Sequence, residues 1–144
     1  IKLPASMMGG SWMGSHFSND DVVQDSRYSE DFDCGFIERP ADGKENWLIN
    51  CVPDEDAVLV WGAVRLSIGP DLTPQEVQFF GENGELGRTM IFSNYGDLGG
   101  RFLPRTMRMV PADKPDEYTE MVYEELELDV EVSDRLFTLQ ELRR

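Results

Sequence analysis

The 144-residue sequence has few of the residues on which catalysis or metal binding depends. It contains one histidine, His16, whereas metal sites usually combine several histidine, cysteine or carboxylate ligands at defined spacing. None of its glycines opens the strand-to-helix unit of a phosphate loop. Gly14-Ser15-His16 also lacks the G-x-S-x-G pattern of a nucleophile elbow. The sequence therefore predicts no enzyme, no metal site and no other cofactor.

Basic residues are scarce as well, with 13 Lys and Arg against 28 Asp and Glu, a formal net charge of −15. Such a surface repels both the nucleic-acid backbone and anionic lipid headgroups, so we expect no nucleic-acid partner. Ten of the acidic residues lie between Asp113 and Asp134, where Lys114 is the one basic residue. This acidic stretch is typical of a solvated sheet face, and the alternative is a docking surface for a basic partner.

Long apolar runs are absent, since no stretch approaches the ~20 residues that span a bilayer. The beginning, Ile1-Lys2-Leu3-Pro4, has no initiator methionine and none of the regions of a signal peptide. We therefore expect the sequence to begin inside a longer gene product. Its length is that of one domain, and we expect residues 1–144 to form it.

Turn signals divide most of the chain into short β-strands. Residues 1–17 have little periodicity, and Ser18 is a good N-cap for a short helix over 19–24. Asp42-Gly43 and Asn83-Gly84 are strong hairpin signals. Seven strands are predicted at 32–39, 45–52, 58–68, 75–80, 86–95, 102–110 and 117–130. Because short turns make neighbouring strands antiparallel, the sequence predicts a mainly β fold: a curved antiparallel meander sheet with one or two short helices.

The last predicted strand changes its pattern along its length. Residues 125–132 alternate strictly, with Leu126, Leu128, Val130 and Val132 on one face and four acidic residues on the other. This is the pattern of a half-buried strand. Met121 and Tyr123 have the opposite parity, which predicts a β-bulge near Glu124-Glu125. The alternative is an unbroken strand with Tyr118 and Val122 facing inward.

The two cysteines lie in strands that Asp42-Gly43 would join. If that turn has two residues, paired positions sum to 85, which places Cys34 opposite Cys51. The pair would be of the non-hydrogen-bonded kind, with Cα atoms about 4.5 Å apart, close enough for a disulfide. The sequence predicts this disulfide, and the alternative is two buried free thiols.

Methionines and aromatic residues recur on single faces of the predicted strands. Met107 and Met109 share a face, and so do Met121 and Tyr123 on the next strand. Trp61 lies in a strand that is apolar on both faces and is therefore covered on both. Methionine suits sites that accommodate variable apolar shapes, so these residues predict either an ordinary core or a binding cavity.

Three segments carry a family resemblance. They are Trp12-Met13-Gly14-Ser15 with Ser18-Asn19-Asp20-Asp21, then Phe102-Leu103-Pro104-Arg105-Thr106-Met107, and finally Leu136-Phe137 with Leu142. Together they resemble the LolA-like outer-membrane lipoprotein-sorting carriers. His16 stands where an acidic residue is commoner in that family. The resemblance covers nearly the whole chain but fits the later part of such a protein, because the family's long N-terminal helix and first strands have no counterpart before Ile1.

The resemblance implies a partial open β-barrel with a lead-in and short helix over 1–30, the sheet over 31–130 and a closing segment over 131–144. It also implies a non-enzymatic periplasmic carrier of lipid or lipoprotein acyl chains, with a membrane exporter or acceptor protein as partner. The best cavity candidates are Trp61, Met107, Met109, Met121 and Tyr123. The alternative is a structural or interaction domain that pairs with a protein through its sheet edges or serves a lipid exporter.

The missing first part of the carrier fold would leave one apolar face and one sheet edge uncovered. Exposed edges and apolar faces both promote association, so we expect a homodimer. In the alternative, residues 1–17 fold back over the face, since they contain apolar side chains at Met7, Met8, Trp12, Met13 and Phe17.

Overall fold

In the computed structural model, residues 7–23, 30–40, 42, 45–55, 60–138 and 140 are described. They form one seven-stranded antiparallel sheet whose strand order equals the sequence order, so every pairing is between consecutive strands. The predicted mainly β meander is confirmed, and the sheet is open because β1 and β7 lie at opposite edges. The elements are α1 (Asn19–Val23), β1 (Phe32–Glu38), β2 (Trp47–Pro53), β3 (Ala63–Ile68), β4 (Pro74–Phe80), β5 (Leu86–Leu98), β6 (Arg101–Pro111), β7 (Thr119–Val122) and a 3₁₀ helix (Asp134–Phe137).

The short helix begins where its N-cap predicts. The Ser18 hydroxyl oxygen accepts a hydrogen bond from the Asp21 backbone N–H at 3.3 Å. In return, the Asp21 carboxylate accepts from the Ser18 backbone N–H at 2.6 Å and from its hydroxyl at 2.8 Å. This reciprocal arrangement satisfies helix donors that have no partner within the helix. The helix ends at Val23, and the predicted last residue, 24, lies outside the described residues.

Strands β1 and β2 pair in the predicted register around the cysteines. Cys34 lies opposite Cys51 with Cα atoms 4.1 Å apart, and a disulfide joins the two side chains. The register shifts by one residue between Phe36 and Glu38, where Glu38 faces Leu48. Paired positions therefore sum to 85 from Phe32 to Phe36, but this register does not continue from there to the turn. Of the predicted turn pair, residue 43 lies outside the described residues.

The core lies on one face of the sheet, here called the inner face, which carries Cys51, Val64, Val77, Met90 and Met109. Residues 7–23, here called the cover segment, fold back onto it. Phe17 is 3% exposed within the core, and Trp12 packs against the same cluster. Met7 and Met13 of the cover segment remain exposed. In the described part of the N-terminal stretch, Trp12 and Phe17 are thus the side chains that fold back over the apolar face.

The predicted last strand is wrong beyond Val122. Strand β7 ends there, and residues 123–133 adopt no regular structure, so there is no ladder that could contain the predicted bulge. The chain instead passes over the turn between β5 and β6, where a Cβ on Gly99 would lie 2.7 Å from the Leu126 carbonyl oxygen and 3.2 Å from Leu128 Cγ. Gly99 also has φ +60°, so glycine suits this position both because it has no Cβ and because it tolerates a positive φ.

The predicted third strand is too long at its start. It was expected from residue 58, but β3 begins at Ala63, and residues 56–59 lie outside the described residues. The chain reaches the sheet through Gly62, where a Cβ would lie 2.7 Å from the Glu82 Cα atom. Within the ranges given above, none of the helices has the length and apolar character that a membrane span needs.

Candidate ligand cavity

A cavity of about 390 Å³ lies between the cover segment and the inner face. Its volume is at the lower end of the roughly 300–1,000 Å³ of small-molecule sites. The cover segment contributes four lining residues, Trp12, Phe17, Asp21 and Val22. Four more, Met90, Phe92, Met107 and Met121, come from the sheet, and Tyr123 follows the end of β7.

The strand register brings the apolar lining together. Phe92 lies opposite Met107, which lies opposite Met121, so three neighbouring strands present large apolar side chains side by side. Met90 stands two residues before Phe92 and therefore faces the same way. Methionine side chains are flexible and polarizable, and a wall built from them adapts to apolar ligands of different shape.

A buried ion pair attaches the cover segment to the sheet beside this cavity. The Arg88 guanidinium donates to the Asp21 carboxylate at 2.6 Å, and the two side chains are only 8% and 10% exposed. Arg88 also donates to the His16 carbonyl oxygen at 3.2 Å. Its guanidinium carbon lies 4.7 Å from the ring centres of both Trp61 and Phe79. Strand β5 thus holds both ends of the His16–Asp21 stretch in place.

His16 makes a second attachment, at the edge strand β7. Its backbone N–H donates to the Thr119 hydroxyl oxygen at 3.1 Å, and its Nδ1 lies 2.9 Å from the same oxygen. Its Nε2 lies 3.5 Å from the Glu117 carboxylate. The single histidine therefore has a structural role, and the described residues contain no group of three metal-ligating side chains.

The acidic residues of α1 lie close to the cavity wall. Burial raises the pKa of the Asp20 carboxyl, the neighbouring Asp21 carboxylate raises it further, and Arg88 partly opposes both effects. The Asp21 carboxylate is already engaged, because it accepts hydrogen bonds from Ser18 and Arg88. The polar edge of the cavity is thus acidic and internally paired.

The five predicted cavity residues divide between three places. Met107, Met121 and Tyr123 line the cavity. Met109 is completely buried in the core and does not reach it. Trp61 packs on Phe79 and under Arg88, where it lines a separate pocket of about 200 Å³ with part of the cover segment.

Sequence reasoning missed the lining residues Trp12, Phe17, Val22, Met90 and Phe92. Met90 and Phe92 stand two apart in a predicted strand, as Met107 and Met109 do, so the same parity rule would have found them. The cover-segment residues carry no periodic signal, and only their position in the folded chain reveals them.

These features define an open-sheet fold with an apolar cavity under a cover segment. A protein-family model with the description "-like: Uncharacterized protein" matches residues 1–144, and the chain belongs to that family. No sequence among the curated proteins matches the chain.

Three solved structures have a similar fold. A DUF1329 family protein from Desulfovibrio piger is 20% identical, with a TM-score of 0.81 over 96% of this chain and 58% of that one. An outer membrane lipoprotein-sorting protein domain from Vibrio parahaemolyticus is 20% identical, with a TM-score of 0.76 over 98% and 60%. A LolA superfamily protein from Nitrosomonas europaea is 18% identical, with a TM-score of 0.74 over 98% and 64%.

The predicted LolA-like fold is therefore confirmed at the level of architecture, because two of these three similar structures are described as lipoprotein-sorting or LolA superfamily proteins. The chain spans about 60% of the length of the structures that it matches.

Proposed function

We propose that this protein is a non-enzymatic periplasmic carrier that binds the acyl chains of lipids or lipoproteins for sorting to the outer membrane. The observation that carries the proposal is the cavity between the cover segment and the inner face, with its wall of Met90, Phe92, Met107 and Met121. The fold shared with lipoprotein-sorting proteins supports it.

The binding energy would come from transferring apolar surface out of water. At about 0.8 kcal/mol per buried methylene, five methylene groups of one acyl chain would contribute about 4 kcal/mol. The flexible methionine wall would accept chains of different length and saturation. The disulfide between Cys34 and Cys51 fits an oxidising compartment such as the periplasm.

We further propose that residues 1–144 act as one domain, equivalent to the later part of the longer carriers, and that an exporter or acceptor protein exchanges cargo with it. Trp61 and Met109 would then support the fold around the cavity rather than contact the ligand, since neither lines it.

Lipid extraction and native mass spectrometry of the purified protein test the proposal. We expect bound phospholipid or another acylated lipid at close to one molecule per chain. The variant Met121→Trp, which fills the cavity, should retain several-fold less lipid. Val122→Trp is the matched control, because Val122 is the next residue along β7 and is 59% exposed. Equal lipid content in the two variants, or none in the wild type, would refute the carrier function.

A second candidate is an interaction domain that pairs with a protein through its sheet edges. The open sheet favours it, because among the described strands β1 and β7 each pair with a single neighbour. A stoichiometric protein partner recovered without any lipid would support this function over the carrier.

A further inference from the structure

Few polar groups line the cavity. Among the described residues, three of the nine lining side chains carry one: the Asp21 carboxylate, the Tyr123 hydroxyl and the Trp12 indole N–H. No described lysine, arginine or histidine lines the cavity. The one charged lining group is therefore the Asp21 carboxylate, which is already paired with Arg88 and cannot attract an anionic ligand.

Two arginines lie near the cavity, and both already have partners. Arg88 is 7% exposed and donates to the Asp21 carboxylate and the His16 carbonyl oxygen, and its Nε, which has no hydrogen-bond partner, is itself buried. Arg105, on the strand next to Tyr123, donates to the carbonyl oxygens of Asp97 at 2.8 Å and Glu124 at 3.4 Å. A carboxylate taken out of water needs a charged or strongly donating partner, and without one its burial is unfavourable.

Two lining side chains have a hydrogen-bond donor that no other described residue accepts from, the Tyr123 hydroxyl and the Trp12 indole N–H. The backbone N–H of Tyr123 donates to the Arg105 carbonyl oxygen at 2.8 Å, which fixes this residue just beyond the end of β7. Its hydroxyl makes no hydrogen bond to the described part of the chain, and the side chain is half-buried at the cavity. The Asp21 carboxylate, in contrast, accepts three hydrogen bonds and offers no donor.

We propose that the cavity selects uncharged acyl esters or amides over free fatty-acid carboxylates, and that the Tyr123 hydroxyl donates a hydrogen bond to the ligand's carbonyl oxygen. This inference rests on the proposed carrier function. The apolar chain lies against the methionine wall, and the neutral carbonyl group reaches the Tyr123 hydroxyl. Tyr123 is then a specificity-determining residue of the cavity.

Competition for an uncharged fluorescent probe, N-phenyl-1-naphthylamine, tests the inference. The competitors are methyl decanoate, decanoate and decane, at about pH 8, where decanoate is ionised because carboxyl groups titrate near pH 4. We expect the wild type to bind methyl decanoate about tenfold or more tightly than decanoate. Tyr123→Phe should weaken the ester by roughly three- to tenfold and leave decane unchanged, since it removes one hydrogen bond and little apolar surface.

The variant Tyr118→Phe is the matched control. Tyr118 is 53% exposed, and its ring lies 4.4 Å from the Arg108 guanidinium carbon, away from the cavity. It should bind all three competitors like the wild type, and thermal melts of both variants report whether they fold. Equal binding of ester and decanoate, or an equal loss for ester and decane in Tyr123→Phe, overturns the inference while the carrier function stands. If the wild type binds neither the probe nor any competitor, both fall.

Discussion

Arg88 shows how one residue couples the cover segment to the sheet. From the sequence it looks like an ordinary polar residue in a strand, with no sign that it is buried. In the structure it is 7% exposed, paired with Asp21 and packed against both Trp61 and Phe79. A buried charge of this kind is stable only while its partner stays in place, because an unpaired charge in a low-dielectric interior is strongly unfavourable.

We expect Asp21→Ala to lower the free energy of unfolding by about 3–5 kcal/mol, because it leaves Arg88 buried without its partner. Asp129→Ala is the matched control. It breaks the Arg101–Asp129 pair, which also spans 2.6 Å but is 59% and 80% exposed. The control should lose at most about 1 kcal/mol. Urea denaturation measures both, and similar losses would contradict the stabilising role of the buried pair.

A double variant separates this ion pair from the helix cap that Asp21 also forms with Ser18. Asp21→Leu together with Arg88→Met removes both charges, so it should be more stable than Asp21→Leu alone. If the double variant is the less stable of the two, the cap and not the buried charge accounts for the loss.

Among the elements, the hairpin of β1 and β2 depends most on a covalent link. Strand β1 has one buried residue, Phe32, and its remaining six are exposed. Two-stranded hairpins are marginal in water, and β1 lies at an edge of the sheet with β2 as its one strand partner among the described residues. The disulfide from Cys34 to the fully buried Cys51 therefore ties this edge to the core.

We expect thiol titration under denaturing, non-reducing conditions to find no reactive thiol. Replacing both cysteines with serine should lower the free energy of unfolding by roughly 3 kcal/mol, the value for a loop of this length. The sequence separation of the pair is 17. Two reactive thiols per chain in the unreduced protein would show that the link does not form in solution.

The elements could be predicted where turn residues interrupt the apolar pattern. Asn83-Gly84 marks a turn that the structure contains, and the strands beside it were predicted to within a few residues. The prediction fails at 123–132, because period-two alternation also suits an extended segment anchored by two leucines. Leu126 and Leu128 are half-buried over Gly99, whereas Val130 and Val132 are exposed. A sequence does not reveal whether such a segment has a neighbouring strand.

At the scale of the whole molecule, the cavity was predictable only on its sheet side. Met107, Met121 and Tyr123 follow from strand parity, but half of the wall belongs to the cover segment, which reaches strands about 70–100 positions later in the chain. Such non-local packing leaves no local periodic signal. The cover segment attaches to β5 and β7, so it leaves β1 with β2 as its one strand partner among the described residues.

We expect the protein to form a dimer through its β1 edge at micromolar concentration, because Phe36 and Ile37 are 46% and 53% exposed on this edge strand. The net charge of −15 opposes association, so the dimer fraction should rise with salt. Light scattering measures the mass. Ile37→Lys should favour the monomer, whereas Leu72→Lys, at a residue that is 70% exposed in the turn before β4, should not. A mass of 16.4 kDa at all salt concentrations, without binding of a dye that reports exposed apolar surface, would indicate a monomer whose apolar face is covered by the cover segment.

The order of the cover segment and the strands along the chain also sets an order of folding. Each strand pairs with the next one along the chain, so the sheet can grow hairpin by hairpin as the chain emerges. The cover segment is made before Arg88 and Thr119, to which it binds. It must therefore wait, unattached, until β5 and β7 exist. The cavity can then form only after the sheet on which it lies.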